Sequence, residues 1–107
     1  MSNRFMRILV FFDLPVKTSA QRREATQFRK FLLNDGYHMI QYSVYTRVCN
    51  GHDAVQKHTL RLKRCLPENG SIRVLVITEK QYGSIEVLLG NYCEGGQDFQ
   101  AEQLSIF

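Results

Sequence analysis

Tryptophan is absent, proline occurs only twice and glycine only seven times in the 107 residues. A chain with so few breakers is neither linker-like nor low in complexity. Cysteine is scarce too. Cys49, Cys65 and Cys93 are odd in number and form no C-x-x-C spacing, which argues against a disulfide framework or a structural zinc site. His38, His52 and His58 form no zinc-protease pattern. No apolar run approaches the length that crosses a bilayer, so no membrane partner is expected. The short run near the start, Ile8 to Phe12, is followed by Asp13 and lacks a small-residue cleavage site. It does not read as a signal peptide, and the cytoplasm is the expected compartment. A further absence concerns charge: no lysine or arginine stands after residue 80.

What is present is a basic body with an acidic end. Residues 1–80 hold all fourteen Lys and Arg against six acids, a net +8, and residues 81–107 hold four acids, a net −4. Such a body suits a polyanion partner, although a basic solubility surface has the same composition. A hydrophobic content of 44% with 22% charged residues fits one folded domain.

Hydrophobic spacing orders the elements. Met6 to Leu14 is nearly all apolar, as in a strand covered on both faces, and Pro15 ends it. Thr18 with Gln21 makes a capping box. It opens a helix to about Leu33, where Asn34-Asp35-Gly36 supplies a left-handed stop. Ala25, Phe28, Phe31 and Leu32 share the packing arc. Arg22, Arg23, Thr26, Arg29 and Lys30 share a largely opposite, cationic arc, and Leu33 fits neither. From His38 to Val48 the chain alternates. Ile40, Tyr42, Val44, Thr46 and Val48 form the apolar parity, expected to be buried. Met39, Gln41, Ser43, Tyr45 and Arg47 form the polar one. Pattern alone allows one long strand or two with a kink.

Asn50-Gly51 marks a turn, and Asp53 with Gln56 can cap a second helix to about Leu66, stopped by Pro67. Val55, His58, Leu62, Cys65 and Leu66 would face inward, with Lys57, Arg61 and Arg64 outward and Leu60 out of place. His58 reads as a core histidine rather than a ligand. Ser71 to Thr78 is a third β segment with Ile72, Val74 and Val76 on one face. Residues 79–83 are a break, and 84–90, "SIEVLLG", a fourth β segment. The expected class is α/β (α+β), a two-layer sandwich with helices on one face of the sheet. If residues 37–49 divide, the order becomes βαββαβ, ferredoxin-like, with an extra C-terminal strand. Residues 1–90 would then be the ferredoxin-like domain. Residues 91–107 would be a tail or strand, whose apolar "LSIF" end suits docking on a partner subunit.

A strand ending "FFDLP", a basic first helix, "DGYHMIQYSVYTRVC" and "GSIRVLVITEKQYGSIEVLLG" together resemble the small CRISPR-associated protein of spacer acquisition, the Cas-two family, in its type II branch. The likeness covers roughly residues 6–90. It implies a ferredoxin-like fold with a strand break near Gln41 to Ser43. It also implies a homodimer whose last strand pairs with the partner's sheet. It implies a role holding protospacer duplex DNA between dimers of the Cas-one integrase. Family members have also been assigned metal-dependent endonuclease activity on RNA or duplex DNA. The family's strand-end carboxylate falls on Asp13, with two copies facing each other across the dimer axis and able to hold Mg²⁺.

Asp13 is thus the catalytic and metal-ligating candidate by resemblance. Read from its own surroundings, it is a turn residue that could accept backbone N–H bonds in the loop that follows. The nucleic-acid candidates are Lys17, Arg22, Arg23, Arg29 and Lys30 on the first helix and its approach, with Arg47 on its strand. One cationic face tracks a phosphate backbone by charge and hydrogen bonding. A solvated helix face is the plainer reading of the same charges. A third possibility is an unrelated ferredoxin-like RNA binder, which exposed sheet aromatics would mark, though the usual RNA-binding signature is absent.

Overall fold

The computed structural model describes residues 4–90. The elements run β1 (Phe5–Asp13), α1 (Ser19–Asn34), β2 (His38–Gln41), β3 (Val44–Asn50), α2 (His52–Lys63), β4 (Ser71–Thr78) and α3 (Glu79–Gly83). The sheet order is β2-β3-β1-β4 and each neighbouring pair is antiparallel. This is the ferredoxin-like βαββαβ arrangement, as expected. The 37–49 segment does divide, at Tyr42 and Ser43. The expected tail, residues 91–107, lies outside the described residues.

One face of the sheet is packed. Ile8, Val10 and Phe12 of β1 meet Phe28 and Leu32 of α1, Tyr45 and Cys49 of β3, and Val55 and Leu62 of α2. Burying each aliphatic side chain contributes about 1.5–3 kcal/mol, so this layer carries most of the stability. Helix α1 begins as its sequence signal requires: the Thr18 hydroxyl accepts the Gln21 N–H at 3.0 Å, and Gln21 Oε1 accepts the Thr18 N–H at 3.1 Å. It ends in a Schellman turn. Tyr37 N–H donates to Leu32 O at 2.9 Å and Gly36 N–H to Leu33 O at 3.2 Å, with Gly36 at φ +93°.

Four expectations are corrected. The helix-facing parity of β3 is Tyr45, Arg47 and Cys49, because β3 pairs with β1 in the register Val10↔Tyr45. Tyr45 therefore lies in the core, not on a polar surface, and Val44, Thr46 and Val48 share the outer face with Leu9, where Thr46 is buried as expected but Val48 is exposed. The apolar residues of β3 thus divide between two faces, and both faces need cover. Helix α2 starts after Gly51 with no side-chain cap and stops at Lys63. Asp53 sits inside its first turn, where its charge complements the helix dipole, and Cys65 and Leu66 fall beyond its end, both exposed. The break at residues 79–83 is α3, opened by a second capping box between Thr78 and Gln81 that the sequence carries openly. Residues 84–90 form no strand, since a strand needs a neighbour and they pair with none of the four described strands.

Candidate functional site

Asp13 is the last residue of β1. It is exposed and lies on the outer face of the sheet, the parity of Leu9 and Phe11. It pairs with Ser71 across the β1–β4 ladder. Gly70 makes that approach possible: a Cβ there would sit 2.8 Å from the Asp13 carbonyl oxygen and 2.7 Å from Leu14 Cδ2, and its φ is +114°. The Asp13 carboxylate has no hydrogen bond or ion pair among the described residues. The turn bonds that would explain it locally are not made, and the helix that follows is capped by Thr18 instead. Among the described residues, no group of three or more His, Cys, Asp and Glu is placed to hold a metal ion.

The six candidate cations separate. Lys17, Arg23 and Lys30 are exposed and enter no salt bridge among the described residues. Arg22 is exposed but folds back, its Nη1 donating to Val16 O at 3.1 Å and Lys17 O at 3.2 Å, which stiffens the loop between β1 and α1. Arg29 leans over the sheet end, against Phe12 and Tyr42. Arg47 is occupied: its Nε donates to Asp35 O at 2.6 Å and its Nη1 to Val48 O at 2.8 Å. It fastens the end of α1 to β3.

Asp35 is a buried anion that its place before a glycine hid. Its carboxylate meets His58 Nδ1 and Arg61 Nη2 at 3.0 and 2.8 Å. Burial opposes its ionisation most strongly, yet the hydrogen bonds and charges of His58 and Arg61 together outweigh it and hold the carboxyl below its usual value. Tyr37 beside it is pushed up to about 12, by burial first and by the Asp35 charge second. A signal existed. An acid at a helix C-terminus faces the negative end of the dipole, so it requires cations from elsewhere.

The outer face has its own clamp. Arg7 donates from Nε and Nη2 to Glu79 at 2.7 and 3.1 Å and stacks 3.9 Å from the centroid of Tyr82. The Arg7 hydrogen bond is the main reason the Glu79 carboxyl sits below its usual value, with burial opposing it. This pins α3 to β1. Beyond the clamp, Phe11, Val48 and Leu75 remain 39%, 38% and 49% exposed on that face.

The described residues thus define a ferredoxin-like α+β protein whose sheet ends on β4, whose first helix carries exposed cations and whose Asp13 carboxylate has no partner among those residues. The family model for CRISPR associated protein Cas2 matches residues 6–85. The chain is 55% identical over 102 residues to the CRISPR-associated endoribonuclease Cas2 of Acidovorax ebreus (strain TPSY), covering 95% of this chain and 100% of the relative. It is 43% identical over 104 residues to the protein of the same name from Flavobacterium psychrophilum, covering 97% and 90%. A solved structure described as the crystal structure of Cas2 superposes with a TM-score of 0.58 at 18% identity, covering 89% of this chain and 97% of that one. The chain belongs to the Cas2 family. No helix among the described residues is long and apolar enough to cross a membrane.

Proposed function

We propose that this protein is a dimeric subunit of CRISPR spacer acquisition, of the type II branch. In this reading it binds protospacer duplex DNA through the cations of α1 and bridges dimers of the Cas-one integrase. The observation that supports it best is an incomplete sheet. Among the described residues β4 is an edge strand with no further neighbour, and its Val74, Leu75 and Val76 are 40%, 49% and 36% exposed. Residues 84–90 then bring Ile85, Val87, Leu88 and Leu89, all at least 52% exposed and in no ladder. An edge strand and an apolar segment that find no partner among the described residues are completed by a second copy, each lending its segment to the other. A twofold pair repeats Lys17, Arg23 and Lys30 on both copies, which suits a sequence-indifferent duplex.

A second reading is a Mg²⁺-dependent endonuclease acting on RNA or duplex DNA. The Asp13 carboxylate, without a partner among the described residues, favours it, and relatives carry the name endoribonuclease. Mg²⁺ is held by one or two carboxylates with several waters, so Asp13 of one chain fits as half of such a site and Asp13 of a second copy completes it. An ion bound there would polarise a phosphate; Asp13 would hold it, and Gly70 and Ser71 fix the strand that carries Asp13.

One experiment separates the two readings. Wild type and Asp13→Asn are assayed for cutting of RNA and duplex DNA across Mg²⁺ concentrations, and for spacer integration with the partner integrase. Integration that survives the substitution, with or without loss of cutting, supports the scaffold. Integration lost together with cutting, at unchanged stability, overturns it in favour of the enzyme.

A further inference from the structure

The hairpin between β2 and β3 turns on Tyr42 and Ser43, and Tyr42 is 77% exposed, whereas Tyr37 and Tyr45 are 3% and 4% exposed. Exposure alone means little for one side chain. The way this ring is held means more. The Arg29 guanidinium carbon lies 5.2 Å from the Tyr42 ring centroid and 5.6 Å from that of Phe12. Its Nη2 donates to Tyr42 Oη at 3.4 Å. Phe12 in turn packs edge-on against Phe28, with centroids 5.2 Å apart. The order Phe28, Phe12, Arg29, Tyr42 runs from the core to solvent.

The backbone beneath the ring is unusual as well. Ser43 has φ +69°, the left-handed region that a side chain rarely adopts. Its carbonyl accepts the Phe12 N–H at 3.1 Å. The turn is thus tied to the residue before Asp13, and Tyr42 stands at the same end of the sheet as that carboxylate.

We infer that Tyr42, presented by Arg29, is a stacking site for an unpaired nucleobase of a bound strand at the Asp13 end of the sheet. This rests on the nucleic-acid reading above and refines it. A ring already oriented loses little freedom on binding. Every base has a π-face, so the site tolerates any sequence. Its preference is for form: the bases of a blunt duplex are stacked on one another and are not offered to the ring, whereas those of a single strand are. The cations of α1 make no such distinction, because phosphates are present in both.

The test uses 2-aminopurine placed within a short single-stranded RNA, a single-stranded DNA of the same sequence, and the interior of a blunt DNA duplex. Wild type is expected to quench the probe in at least one single strand and not in the duplex, and which strand responds identifies the polymer. Tyr42→Ala is expected to lose the quenching and roughly ten-fold in single-strand affinity. Its salt dependence and duplex affinity stay unchanged, because stacking releases no counterions. Tyr42→Phe keeps the quenching. Lys30→Ala does the reverse of Tyr42→Ala, flattening the salt dependence while the quenching persists. Quenching and affinity unaltered in Tyr42→Ala overturn the stacking site while leaving the phosphate contacts standing. A lowered solution mass for that variant also overturns it, by making Tyr42 a subunit contact. If wild type binds none of the three polymers, the nucleic-acid reading itself falls, and the stacking site with it.

Discussion

The carboxylate of Asp35, at the end of α1, stands 3.0 Å from Nδ1 of His58, in the middle of α2. Arg61 reaches the other carboxylate oxygen from one turn further on, and Arg47 of β3 holds the Asp35 carbonyl. One residue therefore joins both helices to the sheet. The side chains of Asp35 and His58 are 5% and 9% exposed, whereas Arg61 is 51% exposed. The His58 contact is the dry one. Replacing Asp35 with alanine strands a buried imidazole and is expected to cost about 2–3 kcal/mol, below the usual figure for a fully buried pair because Arg61 is half in water. Urea unfolding at neutral pH measures it.

The same carboxylate sets an acid dependence. Its folded pKa lies below the unfolded value of 3.8, so its stabilisation is complete above that value and is lost as the pH falls through the lower, folded one. The stability difference between wild type and Asp35→Asn is therefore expected to be constant from neutral pH down to about pH 4 as far as this carboxyl is concerned, and to shrink below it. Denaturant midpoints of the two proteins across that range check the sign. A difference that grows on acidification contradicts it.

Gly36 carries the turn that places Asp35. Its φ is +93°, and a Cβ there would lie 2.9 Å from Arg47 Nε and 3.0 Å from Arg47 Nη2. Alanine meets two obstacles, a left-handed backbone and a displaced guanidinium. Gly36→Ala is expected to lose about 2 kcal/mol. Pairing it with Arg47→Ala is expected to recover the part of this loss that the guanidinium clash contributes. A double-mutant cycle in urea gives the coupling.

What sequence reveals here follows the range of the interactions. The Thr18–Gln21 box, the Gly36 stop and the inward Ala25, Phe28 and Leu32 are local, and all are legible. The strand break at Tyr42 and Ser43 comes from the family likeness, because alternation runs through it unbroken. The face of β3 is misread for a long-range reason. Val44, Thr46 and Val48 are apolar enough to look like core, but the register with β1 turns them to the outer face and puts Tyr45 and Cys49 inside. Pairing register is not contained in one strand. The site divides in the same way. Cations can be assigned to a helix face by spacing, yet spacing does not tell that Arg47 is engaged by Asp35 or that Arg22 is engaged by its own loop. Asp35 itself meets His58 from 23 residues away along the chain, and it has no local mark beyond an awkward charge at a helix end.

That division changes which cations are worth removing. Arg23→Ala with Lys30→Ala removes two charges without disturbing an ion pair within the described residues. Duplex affinity is expected to fall equally for all sequences. The slope of log affinity against log salt is expected to flatten by about 1 for each phosphate that the variant no longer neutralises. Arg22→Ala is expected instead to loosen the β1–α1 loop, with a stability loss of about 0.5–1 kcal/mol and a smaller change in slope. Binding titrations at several salt concentrations, run beside urea unfolding, separate the two effects.

The segment after α3 offers the most direct view of how the sheet is completed. Arg7, Glu79 and Tyr82 hold α3 within the chain, so a protein ending after Gly83 keeps that clamp and is expected to retain the four-stranded fold by circular dichroism. It loses Ile85, Val87, Leu88 and Leu89, whose exposed apolar surface has no ladder of its own. If those residues extend the β4 edge of a second copy, the truncated protein behaves as a monomer at concentrations where the full chain is a dimer, and integrase binding weakens with it. Light scattering over a dilution series reads this directly. A truncated protein that stays dimeric shows that the outer face, through Phe11, Val48 and Leu75, carries the association alone. Substituting Leu75 with aspartate in that background is then expected to break the dimer. Strand exchange is excluded as the force that joins the subunits if the full chain and the truncated one dissociate at the same concentration.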